Sequence, residues 1–476
     1  MSLNYNFIWL LCYLLVLVGL AGYGFHRLSI VYLYWKNRNN KPQPKARFQE
    51  LPVVTVQLPM FNEKFVVDRL LESVAALDYP QDKLEIQILD DSTDDTTEQC
   101  YRKVEELKSR GFDAVCIHRT DRTGFKAGAL EAATKVAKGE FLLILDADFV
   151  PEPDLLQKTI HFFTDENVGL VQTRWGHINR EYNLLTRIQG MYLDGHFAME
   201  QTARNRSGRF FTFNGTAGIW RKCVIGDAGG WSHDTLTEDM DLSYRVQLKG
   251  WRFIYLNDVV TPAELPVDMD GFKSQQHRWT KGSIQVCQKI LLDIWRSNAP
   301  LKAKVEATTH LTCNYSYLLL ALLCFLVYPI CTQRIPENET VFMWFVNVAL
   351  FFMTSVAVCI FYMSAQIVVR PKSWWKELPY LPLLLTLSVG MAVNNAKAVL
   401  EAIFGHQSAF VRTPKYGVDR KEDRRHVSQL KRNGYRAIKS VVIPVLEIAC
   451  GTFFLNLIII MIRQGHYLSP ILMIPF

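Results

Sequence analysis

Apolar runs long enough to cross a lipid bilayer stand on both sides of a charged middle section. A membrane-spanning helix needs about 20 mostly apolar residues in succession. Most carboxylates lie between residues 50 and 293. The chain therefore combines 49% hydrophobic residues with 53 Lys and Arg by keeping the two kinds of segment apart. We predict an integral membrane protein with one soluble domain. The apolar runs occupy residues 8–24, 311–331, 341–369 and 441–462.

Basic residues near the first apolar run predict its orientation. Residues 1–7 have no charged side chain, whereas residues 27–47 are rich in Lys and Arg. Positive charge beside a membrane helix is retained in the cytoplasm, so we expect the middle domain to be cytosolic. The run lacks a preceding basic residue and a cleavage site, which favours a signal anchor over a signal peptide. The membrane would be a bacterial inner membrane, or a Golgi or plasma membrane in a eukaryote.

The segment of residues 378–404 is apolar at first and polar later. If it crossed the membrane, the ten Lys and Arg of residues 412–439 would lie outside. We therefore expect an interfacial or re-entrant amphipathic element. The predicted parts are a transmembrane helix at 1–30, a cytosolic domain at 50–300, two transmembrane helices at 311–370, an interfacial helix with a basic loop at 378–440, and a C-terminal transmembrane region at 441–476.

The formal net charge of +7 does not indicate a nucleic-acid partner. The basic residues cluster beside the apolar runs, where they are better explained as cytoplasmic flanks of membrane helices. The ten cysteines have no CxxC spacing, so neither a zinc site nor a disulfide framework is indicated. The lipid bilayer is the partner that composition predicts.

Short β-rich runs alternate with helical patterns in the middle section. The alternation predicts an α/β fold with a parallel sheet, in which ligands bind at the carboxyl ends of the strands. Each acidic motif discussed below follows one of these runs. The strand-like runs are residues 53–58, 85–90, 114–118 and 141–145, and the helical patterns include residues 65–76 and 128–137.

Two acidic segments follow predicted strands. The first begins at Asp90 and Asp91, which could contact a ribose, a base or a metal, although helix capping would also explain such a turn. We favour ligand contact for Asp91. The second places Asp146 and Asp148 after an apolar strand, on the same side of an extended chain. These two carboxylates could share a divalent cation that binds a diphosphate, although turn carboxylates often share this spacing.

Two further motifs give these acids their context. They are Thr237-Glu238-Asp239 and the segment from Gln275 to Trp279, which reads QQHRW. In this order the motifs resemble the inverting, processive family 2 glycosyltransferases, the group of cellulose, chitin and hyaluronan synthases. The segments FNGTAGIWR at 213–221 and FVRTPK at 410–415 are similar to the cellulose synthase-like mannan and glucan synthases of plants and bacteria. The resemblance implies a GT-A-type, Rossmann-like catalytic domain inserted between transmembrane helices.

The resemblance also implies roles for individual residues. Asp239 would be the general base, and Mg²⁺ or Mn²⁺ would be held by Asp146 and Asp148. Trp279 and Glu238 would contact the acceptor, although a structural role also explains Glu238. Arg412 stands where the gating-loop pattern FxVTxK has Val. The residues assigned to donor binding are Asn62, Glu63, Asp91, Lys126, Asp146, Asp148, Gln275, Arg278, Thr413 and Lys415.

The resulting functional prediction is a processive enzyme that polymerises a β-linked, 1,4-type mannan or glucan and translocates it. UDP-glucose and GDP-mannose both remain open as the donor, with the growing polysaccharide as acceptor. One alternative is a non-processive enzyme that glycosylates a membrane lipid. A transporter is a more distant alternative, since it would not explain the acidic motifs at strand ends. A membrane-anchored module that only binds a sugar nucleotide is equally distant.

Overall fold

A seven-stranded sheet forms the centre of the middle domain. The computed structural model describes residues 2–332, 352–406, 412–432, 434–435 and 442–463. The spatial order of the strands is β3-β2-β1-β4-β6-β5-β7. In chain order the strands are β1 (Val54–Met60), β2 (Leu84–Asp90), β3 (Asp113–His118), β4 (Phe141–Ile144), β5 (Val168–His177), β6 (Gly218–Arg221) and β7 (Arg252–Ala263).

The sheet is mixed rather than fully parallel. Strands β1 to β4 pair in parallel, and so do β5 and β7, as expected from alternating strands and helices. Strand β6 is antiparallel to both β4 and β5, so the prediction of a parallel sheet was wrong at this strand. The chain between β5 and β6 does not return through one crossover helix. It makes a long helical excursion over residues 184–206 and re-enters the sheet from the opposite end.

Helices cover both faces of the sheet. Beyond the sheet lies a second group of long apolar helices, the membrane-like helices, which include the candidate membrane spans. One apolar core lies beneath the helices at 67–75 and 96–109, and another beneath those at 125–136 and 238–248. The α-helices are α1 (Ser2–Asn37), α2 (Val67–Ala75), α3 (Thr96–Ser109), α4 (Phe125–Val136), α5 (Leu155–Thr159), α6 (Leu184–Asp194), α7 (Thr202–Arg206), α8 (Lys222–Asp227), α9 (Glu238–Leu248), α10 (Met269–Arg296), α11 (Leu301–Thr312), α12 (Tyr315–Thr332), α13 (Ala357–Val369), α14 (Leu381–Gly390), α15 (Ala392–Ile403), α16 (Arg424–Arg432) and α17 (Val442–Arg463).

Short helices of other types complete the described chain. Four are 3₁₀-helices and two are π-helices among the described residues. They are Gln81–Lys83, Ile160–Thr164, Trp374–Tyr380 and Lys421–Asp423, followed by the π-helices Gly195–Gln201 and Phe352–Val356.

Three helical stretches within the described ranges are long and apolar enough to cross a membrane. They are Ile8–Asn37, Trp374–Ile403 and Val442–Ile460. Helices α11 and α12 form a fourth candidate that is bent by 53°. The first, third and bent stretches overlap the predicted transmembrane segments. Part of the predicted span at 341–369 lies outside the described residues, as do residues 467–476.

The stretch Trp374–Ile403 covers the segment that we expect to be interfacial. It is helical over 30 residues, and its length and composition would also allow a membrane crossing. Pro379 lies inside the opening 3₁₀-helix. The interfacial placement stays a prediction.

Buried ion pairs join the membrane-like helices to the sheet domain. Arg27 of α1 pairs with Glu200, and Arg204 donates from Nε to Glu306 of α11 over 2.9 Å. His26 of α1 contacts the same Glu306 carboxylate at 3.0 Å. Removing one partner of such a pair leaves a buried charge uncompensated, which is strongly destabilising. These contacts therefore fix the domain against α1 and α11.

Candidate active site

A cavity of about 200 Å³ opens at the carboxyl ends of β1, β2 and β4. Its walls contain every residue that the sequence assigned to donor, metal, acceptor or catalysis, except Asn62. The Asn62 side chain instead accepts a hydrogen bond from the backbone N–H of Thr93 at 2.8 Å and does not line the cavity. The predicted residues in the walls are Glu63, Asp91, Lys126, Asp146, Asp148, Glu238, Asp239, Gln275, Arg278, Trp279, Thr413 and Lys415.

Asp91 forms one end of the cavity, where it is held by an arginine. Arg119 donates from Nε and Nη2 to the two carboxylate oxygens of Asp91, over 2.8 and 2.6 Å. Arg119 also binds the carbonyl oxygens of Thr123 and Phe125, so it orders the loop between β3 and α4. That loop places the guanidinium of Arg122 over the ring of Phe61, with 3.4 Å to the centroid. This end of the cavity thus offers both a carboxylate and a flat cationic surface.

Asp146 and Asp148 lie in a turn and not on an extended strand. Strand β4 ends at Ile144, so the expectation that an extended chain presents both carboxylates on one side was wrong. The turn separates their partners: Lys126 binds Asp146, and Lys415 donates to Asp148 over 2.6 Å. The backbone N–H of Asp146 donates to Thr216 Oγ1 over 2.8 Å, which fixes the turn. Both carboxylates nevertheless line the same cavity.

Lys126 begins α4 and connects two motifs. Its ammonium contacts Asp146 and donates to the carbonyl of Gly215 over 2.9 Å. Burial alone would lower the pKa of Lys126, but the Asp146 and Glu238 carboxylates outweigh it and raise the pKa above its ordinary value. In the sequence alone, a solvated lysine at a helix start would explain Lys126 equally well. In the structure its side chain is partly buried and lies in the cavity wall.

Glu238 and Asp239 open helix α9 and face the same cavity. Burial is the main cause that raises the pKa of Asp239 to about 7, and the charge of the neighbouring Glu238 carboxylate adds to the rise. Burial also raises the pKa of Glu238. A Cβ at Gly215 would lie 3.1 Å from Asp239 Oδ2, so the absence of a side chain there lets the chain pass close to this carboxylate. Asp239 is thus a partly buried acid whose ionisation falls near neutral pH.

Helix α10 carries Gln275, Arg278 and Trp279 on the cavity side. The guanidinium of Arg278 faces the carboxylates of Glu238, Asp146 and Asp239. Close packing positions this helix, because a Cβ at Gly282 would lie 2.9 Å from the backbone nitrogen of Thr237. Helices α9 and α10 therefore place the TED and QQHRW motifs in one wall.

The segment of residues 412–415 completes the cavity from the far end of the chain. Arg412 donates to Glu63 over 3.2 Å and to the Tyr435 hydroxyl over 2.7 Å. Burial raises the pKa of Glu63 to about 8, although the Arg412 charge opposes the rise. Thr413 is buried, and its Oγ1 has no hydrogen-bond partner among the described residues. The start of the predicted gating loop, residues 410 and 411, lies outside the described residues.

Comparison with known proteins shows which family the sequence of the sheet domain resembles. Residues 52–282 match the sequence model of the family described as Glycosyltransferase like family 2. Glucomannan 4-beta-mannosyltransferase 2 of Arabidopsis thaliana is 42% identical over 286 residues, covering 57% of this chain and 53% of that protein. The sheet domain is thus similar to the family 2 glycosyltransferases. The resemblance to the cellulose synthase-like members of this family is thereby confirmed.

A second plant relative and one solved structure agree with this assignment. Glucomannan 4-beta-mannosyltransferase 1 of Oryza sativa subsp. japonica is 41% identical over 277 residues, again covering 57% of this chain and 53% of that protein. The chain thus spans about half the length of these curated relatives. The structure of mannosyltransferase PcManGT from Pyrobaculum calidifontis, in complex with GDP-Man and Mn²⁺, matches with a TM-score of 0.56 at 19% identity and covers 83% of this chain and 100% of that one. This likeness confirms the GT-A-type fold.

The cavity has further lining residues that sequence reasoning missed. Arg122, Asn214 and Glu264 line the cavity. Arg119 does not line it but donates hydrogen bonds to the Asp91 carboxylate. Glu264 directly follows β7, so the rule that placed Asp91 after a strand would have found it had β7 been recognised. No periodic or motif signal marks Arg119 or Arg122, which lie in an irregular loop. Their positions depend on tertiary contacts.

A second cavity, of about 170 Å³, continues from the first toward the membrane-like helices. The two cavities share Trp175, Asn214, Asp239 and Trp279, among others. The second cavity is also lined by Arg27 of α1, by the break between α11 and α12, and by α13. Asp239 is therefore reachable from the sheet side and from the helix side of the protein.

Proposed function

We propose that this protein is a membrane-bound, inverting glycosyltransferase that transfers mannosyl units from GDP-mannose to a growing β-linked mannan or glucomannan. The observation that carries the proposal is one cavity in which strand-end carboxylates meet three partly buried cations and an acid titrating near neutral pH. Mannose is favoured over glucose because both plant relatives are named as mannosyltransferases. UDP-glucose is the competing donor.

Asp239 is the general base in this proposal. A hydroxyl oxygen of the acceptor attacks the anomeric carbon of the donor sugar, and the bond from that carbon to the diphosphate oxygen breaks. The hydroxyl proton passes to Asp239, and the electron pair of the broken bond leaves with the diphosphate. The pKa of about 7 matches this role, because a base works best with a pKa near the operating pH. One displacement inverts the anomeric centre without a covalent enzyme intermediate.

The leaving diphosphate would meet Lys126, Arg278 and Lys415, which reach the cavity from three different elements. Arginine suits this task because its planar fork can bind two phosphate oxygens at once. Lys126 binds the Asp146 carboxylate and Lys415 binds that of Asp148, so each ammonium lies next to one of the two proposed metal ligands. Fixed cations in a partly dry site stabilise developing negative charge without rearranging.

Mg²⁺ or Mn²⁺ fits the acid pair of Asp146 and Asp148. Each carboxylate has one oxygen that accepts no hydrogen bond within the described ranges, and hard divalent cations prefer such oxygen ligands. The described residues contain no group of three His, Cys, Asp or Glu that could hold a metal alone. Donor phosphate oxygens would therefore complete the ligand set. When bound, the metal would neutralise diphosphate charge, in keeping with the Mn²⁺ of the PcManGT complex.

The second cavity supports a processive enzyme that translocates its product. It leads from Asp239 and Trp279 to Phe361 and Tyr362 of α13, which offers aromatic surface for sugar rings beside the membrane-like helices. A polar polymer cannot cross hydrocarbon unless protein groups line its path. A lipid acceptor would also have to reach the base from the helix region, so the path alone does not separate the two acceptors. The aromatic lining, which suits sugar rings, favours the polymer. The polymer therefore remains the favoured acceptor.

The test uses the purified protein in detergent with labelled GDP-mannose or UDP-glucose, with Mn²⁺, Mg²⁺ or EDTA. We expect GDP release and an insoluble product that an endo-β-1,4-mannanase digests, both abolished by EDTA. A lipid glycosylator would give one sugar per acceptor, and a sensor or transporter would release no nucleotide. A preference for UDP-glucose with a glucanase-sensitive product would overturn the choice of donor but not the enzyme class.

A further inference from the structure

The chain beyond Lys415 is docked onto one buried carboxylate, that of Glu264. We propose that Glu264 is the positioning residue that holds the arm of residues 412–415 in the donor cavity. The inference rests on the proposed function, in which Lys415 meets the diphosphate. Glu264 directly follows β7 and is 3% exposed. Nothing in the sequence motifs marks it.

Both oxygens of Glu264 bind the backbone of the arm's continuation. Oε1 accepts from the N–H of Tyr416 at 2.9 Å, and Oε2 accepts from the N–H of Val418 at 3.1 Å. The backbone carbonyl of Glu264 accepts from Lys415 Nζ at 2.9 Å. Arg69 donates to Oε2 over 3.3 Å, which gives the buried carboxylate a countercharge. A single residue thus holds the donor-facing lysine and the two residues that follow it.

Gly417 makes this double contact possible. Its φ of +68° belongs to the left-handed region that favours glycine, and a Cβ there would lie 2.7 Å from the carbonyl oxygen of Phe65. The turn at Gly417 lets the N–H groups on either side of it point at the same carboxylate. Any side chain at this position would push the segment away from Phe65.

Apolar packing adds to the docking. Tyr416 is 2% exposed and Val418 is fully buried. Both belong to one cluster with Tyr182, Val267 and Val427. The segment is therefore packed like a core element, although it arrives from the basic region near the membrane-like helices.

The docking determines where Lys415 stands before any donor binds. Its ammonium lies 2.6 Å from Asp148 Oδ2, beside the acids that would hold the donor. A side chain that is already in place does not have to be ordered during binding, which preserves affinity. Loss of the Glu264 contact should weaken diphosphate binding and leave the Asp239 chemistry intact in the bound state.

The experiment compares the full-length protein with Glu264→Gln and Gly417→Ala. Hydrogen exchange of the peptide covering residues 412–419 reports the docking, and titration with GDP in MnCl₂ reports the donor site. In Glu264→Gln the amide can accept at one atom only, so we expect faster exchange and a Kd for GDP weakened by about tenfold or more. Gly417→Ala should do the same without altering a cavity residue, and it keeps the proposal testable if Glu264→Gln does not fold.

Glu85→Gln is the matched control. Glu85 is also a buried carboxylate, and it accepts a hydrogen bond from the backbone N–H of Lys138 at 2.8 Å. It belongs to β2, which is separated from β7 by four other strands of the sheet. It should lower thermal stability and leave exchange at 412–419 and GDP affinity unchanged. Unchanged exchange in both arm variants would overturn the docking, and faster exchange with unchanged GDP affinity would overturn the positioning role. If the wild type binds neither GDP nor UDP, the proposed donor site fails, and the positioning role fails with it.

Discussion

The two walls of the donor cavity are built in different ways. The strand wall presents Asp91, Asp146 and Asp148 from the turns that directly follow the paired strands β2 and β4. The helix wall presents Asp239 and Arg278 from α9 and α10, and the arm adds Lys415. The strand wall is anchored by backbone pairing, whereas the helix wall depends on side-chain packing and ion pairs. We expect the strand wall to bind the donor through its carboxylates, and the helix wall to supply the base together with the Arg278 and Lys415 cations for the leaving diphosphate.

The largest expected effect is at Asp239, the proposed general base in the helix wall. Asp239→Asn should lower kcat by about 10²- to 10⁴-fold, because general-base catalysis contributes on this scale. The donor KM should change little, since the amide keeps the shape of the carboxylate. Asp241→Asn is the control: Asp241 is two residues further along α9, is buried against Arg245 and does not line the cavity. A variant at Asp239 that kept most of its turnover would refute the base assignment.

The pH dependence should report the same residue. The folded pKa of Asp239 lies above its ordinary value, at about 7, so the carboxylate is largely protonated and inactive below that pH. We expect kcat/KM to fall about tenfold per pH unit below 7 and to level off above it. Glu238→Gln should move this limb to lower pH, because the Glu238 charge raises the Asp239 pKa. A flat profile from pH 5 to 8 would argue against Asp239.

Packing between the two helices of this wall gives the next effect. Gly282→Ala would press a methyl group against Thr237, so we expect a loss of about 1–3 kcal/mol in the free energy of unfolding, or a shift of α9 that lowers kcat. Thermal melts and turnover would measure the two outcomes. Gly226→Ala in α8 meets nothing within 4 Å and should change neither. If the two variants behave alike, the close approach at Gly282 does not position the wall.

The two walls also differ in how far the sequence predicts them. The strand wall follows from apolar runs that end in acids, because a buried strand must be apolar and its carboxyl end must face the ligand edge. The run predicted at 53–58 overlaps β1, and the run at 85–90 lies within β2. The helix wall was assigned only through resemblance, because no local pattern brings Lys415 to Asp148 across 267 positions. Asn62 was misplaced because its backbone, with a φ of 55°, turns the amide toward Thr93.

The smallest expected effect lies in the strand wall, at Arg119. Arg119→Lys would replace a two-pronged contact to Asp91 with a single ammonium, and one lost hydrogen bond is worth about 0.5–1.5 kcal/mol. We therefore expect the donor KM to rise by about two- to tenfold, with kcat preserved, since Asp91 would still line the cavity but would be less firmly held. Arg245→Lys is the control, because Arg245 also contacts a carboxylate, that of Asp241, through Nε and Nη2, and this pair lies outside the cavity. A fall in kcat at unchanged KM in Arg119→Lys would show that the strand wall takes part in the chemical step, and the division between the two walls would no longer hold.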